Sequence, residues 1–241
     1  MVKPILFTTD MVRAILDDRK TVTRRSIPER ILDKYYDYDE HCNCVITQDI
    51  PCTRIYEKEF FMNHARYQPE DILYVRETWQ CWRAHRYEAT ADIMFRAGGD
   101  GVQIQFANGN TDYACREDYD KFVKKWFSYH GEWRPSIYMP KEAARIWLKV
   151  LDVRVEMLRD ITDTQAIKEG FNGVRCSCGG TAYACTDCYN TGWAEPPLAG
   201  FIDTWNSTIK KVDADRYSWG ANPWVWVIEF ERCEKQEEGR A

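Results

Sequence analysis

At 241 residues, with 44% hydrophobic and 14% aromatic content, the chain is long enough to bury a proper core, as one decorated domain or two small ones. A formal net charge of −5 argues against a protein whose main task is to hold phosphate backbone, which usually brings a basic excess. No apolar run approaches the ~20 residues of a membrane span and no secretory signal opens the chain, so its 10 cysteines read as thiols of a reducing, cytoplasmic setting, where pairs serve metals more often than disulfides. In chain order, Ile5–Thr8 reads as a first strand. A short amphipathic helix follows over Asp10–Leu16, with Met11, Ile15 and Leu16 at helical spacing behind Asp10 as N-cap, and Asp17-Asp18 break it. Strand-like pieces recur at Thr21–Arg25, Ile72–Thr78, Ile93–Phe95, Ala144–Val150 continuing into Val153–Leu158, and Trp224–Phe230. The last is apolar on both faces, Trp224, Trp226 and Ile228 alternating with Val225, Val227 and Glu229, as a central strand requires. Thr162-Asp163-Thr164-Gln165 has the form of a capping segment for a short helix ending at Glu169 and stopped by Gly170. Ala199–Ile209 resembles a second helix, with Phe201, Ile202, Trp205 and Ile209 on one stripe.

The richest stretch chemically is Asp17-Asp18-Arg19-Lys20-Thr21-Val22-Thr23-Arg24-Arg25. At a helix-to-strand corner Lys20 and Thr23 can approach each other, whereas in a regular strand residues i and i+3 point to opposite faces. A lysine beside a hydroxyl is a nucleophile-activating pair, provided the ammonium is desolvated enough to lose its proton near neutral pH. The plain alternative is a surface turn carrying ordinary charges. Arg19, Lys20, Arg24, Arg25 and Arg30 would also give an acidic protein a local basic mouth.

A second signal is Cys176-Ser-Cys178-Gly-Gly-Thr-Ala-Tyr-Ala-Cys185-Thr-Asp-Cys188, four thiols within thirteen residues. The C-x-x-C spacing of Cys185 and Cys188 lets both sulfurs turn toward one ion, and Gly179, Gly180 and Gly192 sit where a tight knuckle needs positive φ. The segment has too few large apolar residues to make its own core, so a structural zinc would explain how it folds. The first pair is C-x-C, tighter than a standard ribbon, which leaves open a ligand from elsewhere, two redox-active pairs, or unconnected thiols. His41, Cys42, Cys44 and Cys52 are a weaker second metal set with irregular spacing, while Cys81, Cys115 and Cys233 are isolated. None of the histidines forms an H-x-x-x-H or similar pair, so none is assigned catalysis.

Blocks along the chain then carry a resemblance: Lys3-Pro4-Ile5-Leu6-Phe7, Asp18–Arg25, Glu70-Asp71-Ile72-Leu73-Tyr74-Val75-Arg76-Glu77-Thr78-Trp79, Ala144–Val150, Ile161–Gly170 and Pro223–Phe230. Their order and type resemble the ASCH domain, a relative of the PUA-like β-barrels, in its bacteriophage and prophage versions. The resemblance covers about half the chain and implies an α+β fold: one PUA-like (ASCH) barrel, open or closed, with packed helices, built from blocks near 3–30, 68–80, 136–170 and 198–232. Segments 31–67, 80–133 and 171–197 read as insertions, the last being the zinc-knuckle segment. At the corner motif the chain resembles N4-acetylcytidine amidohydrolases, which carry K-T-x-T-x-R and a glutamate on a short helix. That implies Thr23 as nucleophile, Lys20 as its base and Glu169 as proton carrier or amine holder, with Thr21 and Arg25 at the other matching positions. A nucleobase cleft would be flanked by Arg24, Arg25 and Arg76, which with Thr21 are the expected substrate-binding residues. Two functions follow as expectations. One is amide hydrolysis of an N4-acylated cytidine. The other is a non-catalytic module that binds a modified nucleobase, RNA or single-stranded nucleic acid. A ribonuclease-like activity, proposed for some ASCH members, finds no histidine pair here to support it.

Overall fold

A computed structural model describes residues 1–41, 52–106, 113–180, 185–189 and 191–235. Its elements begin with β1 (Val2–Leu6), α1 (Thr9–Leu16), β2 (Val22–Ser26), α2 (Glu29–His41), α3 (Cys52–Asn63) and β3 (Ile72–Arg76). They continue with β4 (Trp79–His85), β5 (Thr90–Phe95), β6 (Val102–Gln105), α4 (Tyr113–Trp126), β7 (Trp147–Met157) and α5 (Asp163–Lys168). The chain closes with β8 (Val174–Arg175), β9 (Trp193–Glu195), α6 (Pro197–Thr208), α7 (Ala214–Tyr217) and β10 (Trp224–Cys233). The fold is mixed α+β with several sheets, and among the described residues no closed barrel is found. No helix among them is long and apolar enough to cross a membrane.

The chain divides into two compact units. The first comprises Met1–Asp17, Asp71–Lys149 and Glu231–Ala241. Here β1 runs parallel to β3, Val2 opposite Ile72, and β3 pairs antiparallel with the start of β7, Leu73 opposite Leu148. The segment 80–133, read as an insertion, supplies an antiparallel meander β4-β5-β6 and the helix α4. Trp79 is wholly buried in this core and meets Trp126 of α4 edge-on at 5.4 Å. Glu77, 1% exposed, is held by Arg145 through two parallel bonds of 2.9 Å, the planar fork geometry that lets a buried carboxylate stay paired. Helix α1 is capped by the Thr8 hydroxyl, which accepts from the Met11 N–H, so Asp10 sits in the first turn instead of at the cap. Because Thr8 is taken by the cap, β1 ends at Leu6, earlier than the sequence pattern suggests.

The second unit, Asp18–Glu70 with Val150–Phe230, holds the residues of interest. In it β10 lies between β7 and β2, the central position its two apolar faces require. Its antiparallel register with β2 sets Trp226 opposite Arg25 and Ile228 opposite Thr23. One face of this pairing carries Val22, Val225 and Val227 into a core with Leu158, Phe201 and Trp205. The other carries Thr23, Arg25, Trp226 and Ile228, since alternate strand residues share a face. Helix α5 begins with a complete capping box, Thr162 bonded to the Gln165 N–H and Gln165 reaching back to the Thr162 N–H. It ends with Glu169 as C-cap and Gly170 at φ +96°, a left-handed conformation that glycine adopts without strain.

Candidate functional site

The corner before β2 is fastened to the end of α5 residue by residue. Arg19 Nη1 donates to the Gly170 carbonyl at 2.8 Å, Lys20 forms an antiparallel bridge with Glu169, and the Thr21 N–H donates to the Lys168 carbonyl at 2.8 Å. Asp18, at φ +55°, makes the turn; aspartate is among the few non-glycine residues that tolerate it. The corner and the helix C-cap, far apart in sequence, thus deliver Lys20 and Glu169 to one place.

Both side chains are sealed from solvent. Lys20 Nζ donates to Glu169 Oε2 at 2.5 Å, to the Val22 carbonyl at 2.7 Å and to the Glu169 carbonyl at 3.0 Å. Arg24 Nη1 takes the second oxygen of the same carboxylate, Oε1, at 3.1 Å, and its Nη2 takes Glu156 Oε2 at 3.1 Å. Arg154 donates to the other Glu156 oxygen at 2.7 Å, so charges of alternating sign run from the buried lysine toward the surface. Such a buried pair is held by multiple hydrogen bonds because Coulomb attraction alone would not offset its desolvation. Burial pushes the Lys20 pKa below its ordinary 10.5; Glu169 opposes that shift, while Arg25 and Arg24 reinforce it.

The Val22 carbonyl that accepts from Lys20 belongs to the peptide leading into Thr23, so the ammonium lies against the backbone of the expected nucleophile. Thr23 is itself 2% exposed, on the face shared with Arg25. Among the described residues its hydroxyl makes no hydrogen bond to Lys20 or Glu169. That face borders a cleft of about 160 Å³ lined by Arg25, Arg66, Tyr67, Val153, Trp226 and Ile228. The volume corresponds to roughly five water molecules and lies below the ~300–1,000 Å³ of pockets for drug-sized ligands. A single planar ring suits it.

Lys20, Arg24 and Glu169 are therefore brought together, whereas Thr23 and Arg25 lie on the other face of β2 from Arg24, and of these two Arg25 lines the cleft. Thr21 acts through its backbone, its carbonyl accepting from the Phe230 N–H at 2.9 Å. Arg76 belongs to the first unit, where it donates to the Ile137 carbonyl at 3.2 Å and the Tyr74 hydroxyl at 3.3 Å. The sequence reading missed Glu156, Arg66, Tyr67 and Trp226. Only Trp226 left a trace: it shares a parity with Ile228 in the β10 pattern, which assigns a face once the pairing with β2 is known.

The four cysteines form a second candidate site. Cys176, Cys178, Cys185 and Cys188 place their sulfurs all within 4.8 Å of one another, with pairs at 3.3, 3.5 and 3.7 Å. A tetrahedral ion with sulfurs at ~2.3 Å would separate them by about 3.8 Å, so the group fits such an ion with small adjustments. The β8–β9 hairpin frames it, and the Cys176 N–H is tied to the Gly192 carbonyl at 3.0 Å. Gly179, Gly180 and Gly192 have φ of +61°, +81° and +79°, the knuckle conformation their spacing predicts. The Gly180 N–H donates to Cys178 Sγ at 3.3 Å, which with the neighbouring thiols lowers the Cys178 pKa to about 6 and favours the ligating thiolate. No fifth residue is needed to complete the set, despite the tight first pair. Of the weaker set, Cys42 and Cys44 and the side chains of His41 and Cys52 lie outside the described residues.

No family model, curated protein or solved structure matches the chain.

Proposed function

We propose that the second unit is an ASCH-type, PUA-like scaffold whose cleft takes a modified nucleobase, and that Lys20, Thr23 and Glu169 hydrolyse the N4-amide of an acylated cytidine. The observation that carries this reading is the buried Lys20–Glu169 contact at 2.5 Å, with the same ammonium bonded to the Val22 carbonyl that precedes Thr23. The ring-sized cleft is reached through Arg25 and Ile228, the former two residues along β2 from Thr23 on the same face and the latter its cross-strand partner. Three acceptors occupy the three N–H bonds of the Lys20 ammonium, so the lysine becomes a base by giving up one proton, to Glu169 Oε2 or, as pH rises through its folded pKa, to solvent. Its depressed pKa favours that transfer.

The chemistry then balances with groups already present. Thr23 Oγ1 attacks the acyl carbonyl and gives its proton to the neutral Lys20 amine. The carbonyl–N4 bond breaks, N4 takes a proton from the Lys20–Glu169 pair, and cytidine leaves. Water hydrolyses the Thr23 ester, releasing the carboxylate and restoring the hydroxyl. Arg25, on the cleft, is the candidate to stabilise the oxyanion. The four-cysteine cluster lies outside these steps and is proposed to hold a structural zinc, since four thiolates leave no open coordination position. Four free thiols suit a reducing cytoplasm.

The test is incubation of purified protein with N4-acetylcytidine and separation of the products. Release of cytidine and acetate is expected, with Thr23→Ala and Glu169→Ala each lowering the rate by orders of magnitude. Intact substrate after prolonged incubation with folded protein would remove the hydrolase reading.

One observation favours a second reading. A lysine whose three donors are all engaged is also what a fixed recognition cation looks like, and the same cleft would then read a modified base or a single-stranded RNA without turnover. Inert N4-acetylcytidine combined with tight, base-selective binding identifies that case.

A further inference from the structure

The cleft on the Arg25 and Trp226 face of β2 and β10 is narrow and carries two guanidinium groups. Arg25 comes from β2 and is half-buried, whereas Arg66, from the segment between α3 and β3, stands exposed at the rim. The rest of the lining is aliphatic or aromatic, with Tyr67 and Trp226 as its ring surfaces and no carboxylate among the described lining residues. Arg66 stands over the Tyr67 ring, its Cζ 5.5 Å from the centroid. At about 160 Å³ the cleft admits a ring and leaves the remainder of a nucleoside at the rim, where Arg66 is.

Resting on the nucleobase reading above, we infer that the ligand is a phosphorylated nucleoside, its base against Tyr67 and Trp226 and its phosphate held at the rim by Arg66 with Arg25 behind it. Guanidinium groups present a planar fork that matches phosphate oxygens in pairs, which an ammonium does not. Burial lowers the proton affinity of Arg25, Tyr67 and Glu169 oppose that shift, and the Arg66 charge adds to it, so an anion at the rim would ease the repulsion between the two guanidinium groups. Burial pushes the Tyr67 phenol above its ordinary 10, so it meets the ligand as a neutral donor and brings no competing negative charge. Arg66 lies outside the corner motif, in a segment the sequence pattern marks as inserted. It is the residue that would set this chain's preference for a phosphate-bearing substrate over a bare nucleoside.

The experiment is equilibrium binding of cytidine and cytidine 5′-monophosphate, neither of which carries an amide to hydrolyse, measured by calorimetry on the full chain at low salt. The monophosphate should bind about ten- to a hundredfold more tightly. Arg66→Ala should bring the ratio of monophosphate to cytidine affinity close to one in a protein that still shows a cooperative melting transition, and Arg66→Lys should keep part of the ratio. A cytidine trinucleotide that outbinds the monophosphate assigns the phosphate to a polynucleotide; one that binds less well assigns it to a free nucleotide. Equal affinity for cytidine and its monophosphate, or a phosphate preference untouched by Arg66→Ala, overturns the inference. Because none of these ligands is hydrolysed, failure of the amidohydrolase assay leaves this result standing, and failure here leaves the hydrolysis result standing.

Discussion

Lys20 Nζ and Glu169 Oε2 stand 2.5 Å apart in a site closed to solvent, and Arg24 closes the same carboxylate from its other side. Removing Glu169 leaves two cations buried without their shared anion. Glu169→Ala is expected to cost about 3–5 kcal/mol, the usual result of breaking a buried pair from one side. Thr23→Val removes a hydroxyl with no hydrogen bond among the described residues and should cost within about 1 kcal/mol. Urea unfolding of the two variants reads the difference directly. If Thr23→Val falls as far as Glu169→Ala, the threonine holds the fold and its candidacy as nucleophile weakens.

The Lys20 environment also fixes a direction with pH. Desolvation lowers its folded pKa below 10.5, so between the folded value and 10.5 the native state binds fewer protons than the unfolded chain. Stability from this group therefore rises as pH climbs through that window. Lys20→Met should flatten that part of the wild-type stability profile. The rate on N4-acetylcytidine should climb through the folded pKa, since the neutral amine is the active form. A rate that is level or falling across that range contradicts a lysine base.

How much of this was legible beforehand depends on sequence distance. The corner and its helix were readable because their signals are local: a broken amphipathic turn, a Lys-x-x-Thr, a capping box and a stopping glycine. The thiol cluster was readable because thirteen residues hold all four sulfurs and the first two glycines of the knuckle. The cleft was not. Its Arg25–Trp226 neighbourhood is created by strand pairing across about 200 residues, and Arg66 and Tyr67 follow α3 in a stretch without periodic pattern. Helix α2 escaped notice for a related reason. Its apolar stripe of Ile31, Leu32 and Tyr35 spans little more than one turn before Asp37, Asp39 and Glu40, too short a run to stand out as a helical pattern. The barrel expected from the block order is the remaining gap, since block order constrains which strands exist more tightly than how a sheet closes.

The cysteine cluster makes its own prediction. Protein purified without added metal should carry about one equivalent of zinc, and cobalt exchanged into the site should give the spectrum of a tetrahedral thiolate complex. Cys188→Ser should lower that stoichiometry. The core built on Val22, Leu158, Phe201 and Trp205 includes none of the four cysteines, so chelation should loosen the β8–β9 hairpin while the main unfolding transition persists. Metal-free protein with all four thiols freely titratable and the hairpin protected from hydrogen exchange would exclude a structural metal.

Lys20→Arg separates the enzyme from the reader. A guanidinium keeps its proton at any accessible pH, so it can preserve a positive charge near Glu169 but cannot accept the Thr23 proton. The Lys20 side chain is fully buried, so the larger group must also displace neighbours, at a cost of roughly 1–3 kcal/mol for overpacking. The variant should remain folded, as urea unfolding would verify before any assay. If the site is catalytic, Lys20→Arg should lose N4-acetylcytidine hydrolysis by orders of magnitude while cytidine still binds. If the wild type never hydrolyses the amide and Lys20→Arg binds oligonucleotides as tightly as it does, the lysine acts as a fixed cation and the cleft as a reader. Retained hydrolysis in Lys20→Arg would contradict both assignments, because no proton acceptor would then remain at position 20.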